Sequence, residues 1–195
     1  IVQEDERVRV LRWDHPFNFA AINNYGASEA NGDLLLFLNN DIEVISPDWL
    51  TEMVGQMLQT GVGAVGARLL YSNGTLQHGG VITGVLGAAG HAHKGAAADA
   101  PGDLGRLWHV RRVGAVTGAC LLTSTRLFRT VGGFDEDGLA IAYNDIDLCL
   151  KLRAAGYAVL WTPFATLYHH ESLSRGSDHR AETIHRLLGE LQTLH

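Results

Sequence analysis

Residues Asp33–Val44 read DLLLFLNNDIEV. Five apolar residues, Leu34 to Leu38, run straight into Asn39, Asn40 and Asp41. The turn signal Asn31-Gly32 opens the run, and its length suits a strand buried on both faces. Strands of that kind belong to parallel sheets covered by helices, and ligands of such sheets sit beyond the carboxyl ends of the strands. One carboxylate and two amides at that end form an oxygen-rich cluster. It suits a hard divalent cation that also holds phosphate oxygens, or a plain Asx-rich turn that stops the strand.

The surrounding segments repeat the rhythm. Upstream, Asn18 to Ala30 predicts a helix with Asn18 as its cap and Gly32 beyond its end. Before it, RVRVLRW (7–13) alternates like a strand. Downstream, SPDWLTEMVGQML (46–58) has a Ser cap, Pro at the first helical position and acidic residues in the first turn. VGAVGARLLY (62–71) and LQHGGVIT (76–83) predict strands on either side of the turn SNGT. Strand, helix, strand is the pattern of an α/β domain with a mostly parallel sheet flanked by helices. Gly84 to Gly105 is dominated by Gly, Ala, His and Asp and reads as a mobile loop over a site or as a disordered insertion. Later come a short helix near Ser124 to Val131, a Gly132-Gly133 turn, and the helix NDIDLCLKLRAAGY (144–157), stopped by Gly156. AVLWTPFATLYHHES (158–172) supplies one or two last strands, and a helical tail is expected over about 177–195.

Composition narrows the function classes. At 195 residues, with 46% apolar and 18% charged residues, the chain suits one soluble globular domain, its core over about 8–176. A net charge of −6 argues against nucleic acid as a partner. No stretch approaches the roughly 18 apolar residues of a membrane span, although a peripheral membrane contact is compatible with the sequence. Cys120 and Cys149 sit among apolar neighbours and read as the reduced thiols of a cytoplasmic protein. The chain opens at Ile1, which reads as a segment of a longer protein.

Two further clusters carry chemistry. YNDIDL places Asn144, Asp145 and Asp147 at a helix start, where the helix dipole favours an ionised carboxylate that can cap the helix or act as a general base. LYHHES puts His169 and His170 directly after an apolar strand, where an imidazole could complete a metal site begun by Asp41.

FNFAAINNYGASEANGDLLLFLNNDIEV (17–44), GAVTGACLL (114–122), VGGFDE (131–136), NDIDLCLKLRAAGY and TPFATLYHHESLSRG (162–176) occur in that order. This succession resembles the family 2 glycosyltransferases of the GT-A fold, particularly bacterial rhamnosyltransferase-like enzymes of cell-surface polysaccharide assembly. The resemblance implies a Rossmann-like sheet, shortened at its amino-terminal side, where the segments that grip the nucleotide base have no counterpart. It also implies an inverting transfer that depends on a divalent metal, Mn or Mg, from a nucleotide-diphosphate sugar to a glycan or lipid-linked glycan. The setting would be the cytoplasm or the inner face of the membrane. The family's Asp-x-Asp motif falls on Asn39-Asn40-Asp41, with an amide in the first position. Asp41 and His169 then become the metal ligands, and Asp145 the catalytic base. Asn24, Asn39 and Asn40 fall on donor-binding positions, and Asp135, Glu136, Asn144 and His170 on acceptor or loop positions. Lacking its first strands, the sheet would expose an apolar edge and invite self-association. A non-catalytic sugar- or nucleotide-binding module is the alternative, kept open by the amides at Asn39 and Asn144.

Overall fold

The computed structural model describes residues 5–85 and 88–170. Helix α1 (Phe19–Glu29) leads into β1 (Leu34–Leu38) and β2 (Ile42–Val44), then α2 (Trp49–Met57) and β3 (Val62–Leu70). Short strands β4 (Leu76–His78), β5 (Val81–Val85), β6 (Ala88–His91) and β7 (Arg111–Arg112) follow. The chain continues through β8 (Cys120–Ser124), α3 (Thr125–Thr130) and α4 (Asn144–Ala154) to the long β9 (Ala158–His169). The main sheet runs β1-β8-β3-β9-β2, with β4 added to β3 and β7 to β9, and β5-β6 form a separate ribbon.

The α/β expectation holds, but the sheet is mixed rather than mostly parallel. Among the described residues the one parallel pairing is β3 with β9. The strand-helix-strand rhythm does orient β1, β3 and β9 alike. What it cannot show is that β8 inserts between β1 and β3 in the opposite sense. β1 is consequently the last strand of its side of the sheet. Leu35 and Phe37 are buried while Leu38 is 44% exposed, so the expected burial on both faces is corrected to burial on one.

Several local expectations change for identifiable reasons. The stretch from Val8 to Trp13 is not a strand; it finds no ladder to join, and Val8, Val10 and Leu11 remain exposed. Ser46 does not cap α2, whose cap position is Asp48, because the Ser46 hydroxyl accepts from Thr166 N at 3.2 Å. Asn18 does cap α1, accepting from Ala21 N at 2.9 Å. LQHGGVIT splits into β4 and β5, since Gly80 takes φ +86° between them. The segment expected as a mobile loop is built into the fold. β6 pairs with β5, Leu76 N donates to Ala96 O at 2.7 Å, and Leu107 is buried beneath the short 3-10 turns over Asp103–Trp108. Small residues let this backbone lie close against β4, where bulky ones would have held it off. The expected tail over 177–195 lies outside the described residues.

The core centres on β3, β8 and β9, with Ala64, Val65, Leu121, Trp161 and Leu167 fully enclosed. Gly66 has no room for a side chain, since a Cβ there would lie 2.5 Å from Val116 Cβ. Gly66→Ala should therefore destabilise the fold by about 1–3 kcal/mol, the usual cost of overpacking a core. Thermal denaturation should show it as a midpoint about 2–4 °C lower per kcal/mol. An unchanged midpoint would contradict the packing described. Both thiols are buried and free, Cys120 with Sγ 3.8 Å from Met53 Sδ and Cys149 against Val116. Burial pushes the pKa of each thiol up to about 12, so neither is a nucleophile in the folded chain.

Candidate active site

The link Asn39–Asp41 carries the chain from β1 to β2, two strands at opposite ends of the sheet order. β2 pairs with the end of β9, Ile42 opposite His169, so Asp41 is delivered beside the two histidines. His170 N donates to Asp41 O at 3.0 Å and closes that end. The side chains then meet. His169 Nε2 lies 3.2 Å from Asp41 Oδ1 and 3.3 Å from Asn39 Nδ2. Both members of the Asp41–His169 pair are largely enclosed, with side chains 15% and 12% exposed.

The ring of His169 is held by a residue that the sequence alone does not mark. Gln77 Nε2 donates to His169 O at 3.4 Å, which turns Gln77 Oε1 toward His169 Nδ1 at 2.8 Å. An amide oxygen only accepts, so Nδ1 carries a proton, while Nε2 lies within reach of both the Asn39 amide and the Asp41 carboxylate. Asp41 Oδ1 is buried without a hydrogen bond among the described residues. A cation beside this oxygen, the protonated ring or a bound metal ion, would satisfy it. The residues therefore fit a divalent metal: an unsatisfied buried carboxylate oxygen and an imidazole nitrogen, with the Asn39 amide alongside. Among the described residues no group of three or more His, Cys, Asp or Glu is gathered as a metal cage, which leaves further coordination to other oxygens.

Asp145 stands at the start of α4. Its Oδ2 accepts from Gly118 N at 2.8 Å and its Oδ1 from Ile146 N at 2.8 Å. Gly118 belongs to the turn before β8, and the carbonyl of the next residue, Ala119, accepts from Asn39 N at 3.0 Å. One short run of backbone thus ties the carboxylate of α4 to the strand end that carries Asp41. The same turn is held from below, where Thr117 N donates to His78 Nε2 at 3.4 Å and His78 Nδ1 lies 2.9 Å from His91 Nδ1. Burial, with His91 adding to it, depresses His78 well below the usual histidine range, and it stays neutral.

This arrangement has relatives. Residues 1–94 match the family profile described as glycosyl transferase family 2. The amino-terminal half of the chain carries the pattern of that family. An uncharacterized protein, y4gI, of Sinorhizobium fredii is 48% identical over 187 residues, 96% of this chain and 21% of that protein. The O-antigen biosynthesis protein RfbC of Myxococcus xanthus is 45% identical over 175 residues, 89% of this chain and 14% of the relative. The chain thus spans about a fifth or less of the length of these curated relatives. Among solved structures, a mannosyltransferase from Pyrobaculum calidifontis superposes with a TM-score of 0.63 at 14% identity, over 95% of this chain and 46% of that one. That likeness establishes a shared GT-A fold.

Other positions singled out in the sequence are held as follows. Asn24, expected at the donor, instead pairs its amide with the backbone of Phe134, donating to its O at 2.9 Å and accepting from its N at 3.0 Å. It also donates to Glu136 Oε1 at 2.7 Å. These bonds make it a brace for the Gly-Gly turn rather than a group directed at Asp41. Asn144, expected near the acceptor, is buried and donates to Leu139 O at 3.3 Å. Asp135 accepts from Asp137 N and Gly138 N, and with Glu136 and Lys151 it lines an open cleft of about 380 Å³. Asn40 is exposed in the turn beside Asp41. His170 bridges Glu43 Oε2 at 2.9 Å and Ser72 Oγ at 2.7 Å. It points to β2 and the β3–β4 turn, leaving His169 to face Asp41. No described helix is long and apolar enough to cross a membrane.

Proposed function

We propose that this chain carries the metal and base positions of a family 2 glycosyltransferase that moves a sugar from a nucleotide-diphosphate donor to a hydroxyl acceptor on a bacterial surface glycan. The observation that supports it most is the buried Asp41 oxygen, without a hydrogen bond among the described residues and 3.2 Å from His169 Nε2. A divalent metal bound there supplies Lewis-acid neutralisation of the leaving diphosphate. Asp41 and His169 would hold it, with donor phosphate oxygens and water completing the coordination, as is usual for metals bound through few protein ligands. The mannosyltransferase that shares the fold is described in complex with GDP-Man and Mn2+, which is consistent with this choice of ligand class. Asn39 has its amide nitrogen beside His169 and its oxygen available to the donor.

Asp145 is the proposed base. Its two backbone hydrogen bonds fix its orientation, and remaining lone pairs on its oxygens would take the acceptor hydroxyl proton as that oxygen attacks the anomeric carbon. One carboxylate suffices for such an attack, with inversion as the outcome. Asp135 and Glu136 line the cleft proposed for the acceptor. The relative named for O-antigen biosynthesis supports a surface polysaccharide as the destination, and rhamnose is the first donor sugar to test on the sequence resemblance.

The experiment is sugar transfer and donor hydrolysis by the whole protein with manganese, and after chelation. Transfer that vanishes on chelation and returns with manganese is expected. Donor binding with no turnover under any metal would favour a sugar- or nucleotide-binding module.

A further inference from the structure

We propose that the loop 101–112 docks this chain on a lipid bilayer, with Leu104 and Trp108 entering the interface and Arg106 and Arg112 meeting anionic headgroups. This surface stands apart from the transfer chemistry argued above and uses none of its residues.

Leu104 is the residue whose placement needs a reason. Its side chain is fully exposed, and its backbone sits at φ +55°, ψ +32° in the left-handed region. Gly105 follows at φ +75°, so the two residues together kink the short 3-10 turns. Residues with a bulky side chain rarely adopt that conformation, and such strain concentrates at binding sites and switches. Fold stability alone favours glycine at this backbone position and gains nothing from a leucine standing in water.

The rest of the loop holds this display in place. Leu107 is buried, and its N donates to Pro101 O at 2.9 Å. A Cβ on Gly102 would lie 2.8 Å from Leu107 Cγ, so the chain closes tightly at its neck. Trp108 is 54% exposed, and its Nε1 donates to Asp99 O at 3.3 Å. Its ring reaches the kink, since a Cβ on Gly105 would lie 3.9 Å from Trp108 Cε3. The indole therefore shares the tip with Leu104. A ring with an apolar body and one polar atom is suited to the boundary between headgroups and acyl chains.

Charge and size select the occupant. RLWHVRR (106–112) holds three arginines, one histidine and no acid, in a chain of net charge −6. Arg106 and Arg112 are exposed, whereas Arg111 turns inward over the Trp161 ring, 5.1 Å from its centroid, and donates to Gly79 O. Asp99 and Asp103 precede this run, and Asp103 lies 3.9 Å from His93 Nε2. An anionic surface thus meets the chain most favourably at this run, where long arginine stems reach headgroups beside an inserted apolar tip. A second copy fits worse, because an isologous pairing sets these arginines near their own like charges. A stable protein partner needs roughly 800 Å² on each side, more than a tip of two apolar side chains supplies.

The test is co-sedimentation of the whole protein with vesicles of phosphatidylcholine, alone or mixed with phosphatidylglycerol. Binding should be several-fold tighter with phosphatidylglycerol and should weaken as salt rises. Leu104→Gly should lower affinity about tenfold or more, the scale of withdrawing one apolar side chain. Its melting midpoint should stay level or rise, because glycine adopts a positive φ without strain. Arg106→Gln combined with Arg112→Gln should remove the preference for phosphatidylglycerol. Brominated acyl chains should quench part of the wild-type tryptophan fluorescence, and Trp108→Phe should bind while losing that quenching. Undiminished quenching in Trp108→Phe, or wild-type affinity in Leu104→Gly, puts the contact elsewhere and overturns the proposal. Wild-type protein that binds neither vesicle overturns it in favour of a protein partner.

Discussion

Asp145→Asn in the whole protein should lower turnover by about 10²–10⁴-fold, the range expected when a general base is lost. The geometry makes this a clean substitution. Asp145 is anchored by Gly118 N and Ile146 N, both at 2.8 Å, in the first turn of α4. An amide keeps the shape and can still accept from one of the two N–H groups, so the helix start should survive with a small loss of stability. What it cannot do is take a proton. Donor and manganese affinities should change little, because the Asp145 carboxylate is bonded to Gly118 and Ile146 rather than to the Asp41–His169 pair. A fall in turnover with binding preserved is the signature of an interaction made in the transition state. Turnover close to wild type would return Asp145 to the ordinary duty of a carboxylate at a helix start.

Much of this site is legible because its residues lie at places the sequence marks. Asp41 ends an apolar run, His169 ends another, and Asp145 opens a helix whose carboxylates and cations are sorted by the helix dipole. That Asp41 and His169 meet follows from β2 pairing with β9, a contact between segments far apart in sequence. The family resemblance implies that meeting, whereas hydrophobic periodicity carries no information about it. Gln77 and His78 give no signal of their own. They sit in LQHGGVIT, which reads as a plain strand, and a bulge leaves no mark in composition. The polarity of the sheet escapes the sequence for a similar reason. Hydrophobic patterning says how deeply a strand is buried, not which neighbour it takes, and β8 arrives between β1 and β3 from much later in the chain. Asn24 illustrates the converse. Its position matches the resemblance, yet its amide is committed to Phe134, since a Gly-Gly turn with φ of +86° and +66° needs a fixed partner for the backbone that follows.

Asp41→Asn separates function from stability at the centre of the site, and its two effects should have opposite signs. In the metal-free chain, Asp41 Oδ1 lies 3.2 Å from His169 Nε2 and is buried without a hydrogen bond among the described residues. At a pH where the ring is neutral, asparagine offers an N–H to Nε2. The new bond to Nε2 should contribute about 0.5–1.5 kcal/mol, the ordinary net worth of a hydrogen bond. Thermal denaturation of the metal-free variant should accordingly shift upward by about 2–4 °C per kcal/mol gained. Metal binding should move the other way and by more. The substitution removes a negative charge from the ligand set and occupies the imidazole lone pair at once. Manganese affinity should fall by more than the roughly 100-fold upper range for losing an outer-shell partner, and sugar transfer with it. This combination is what a site that sacrifices apo stability for ligand binding predicts. A purely structural Asp41 would give a variant that melts lower, since its interactions would be lost without replacement, and would leave manganese binding where it was.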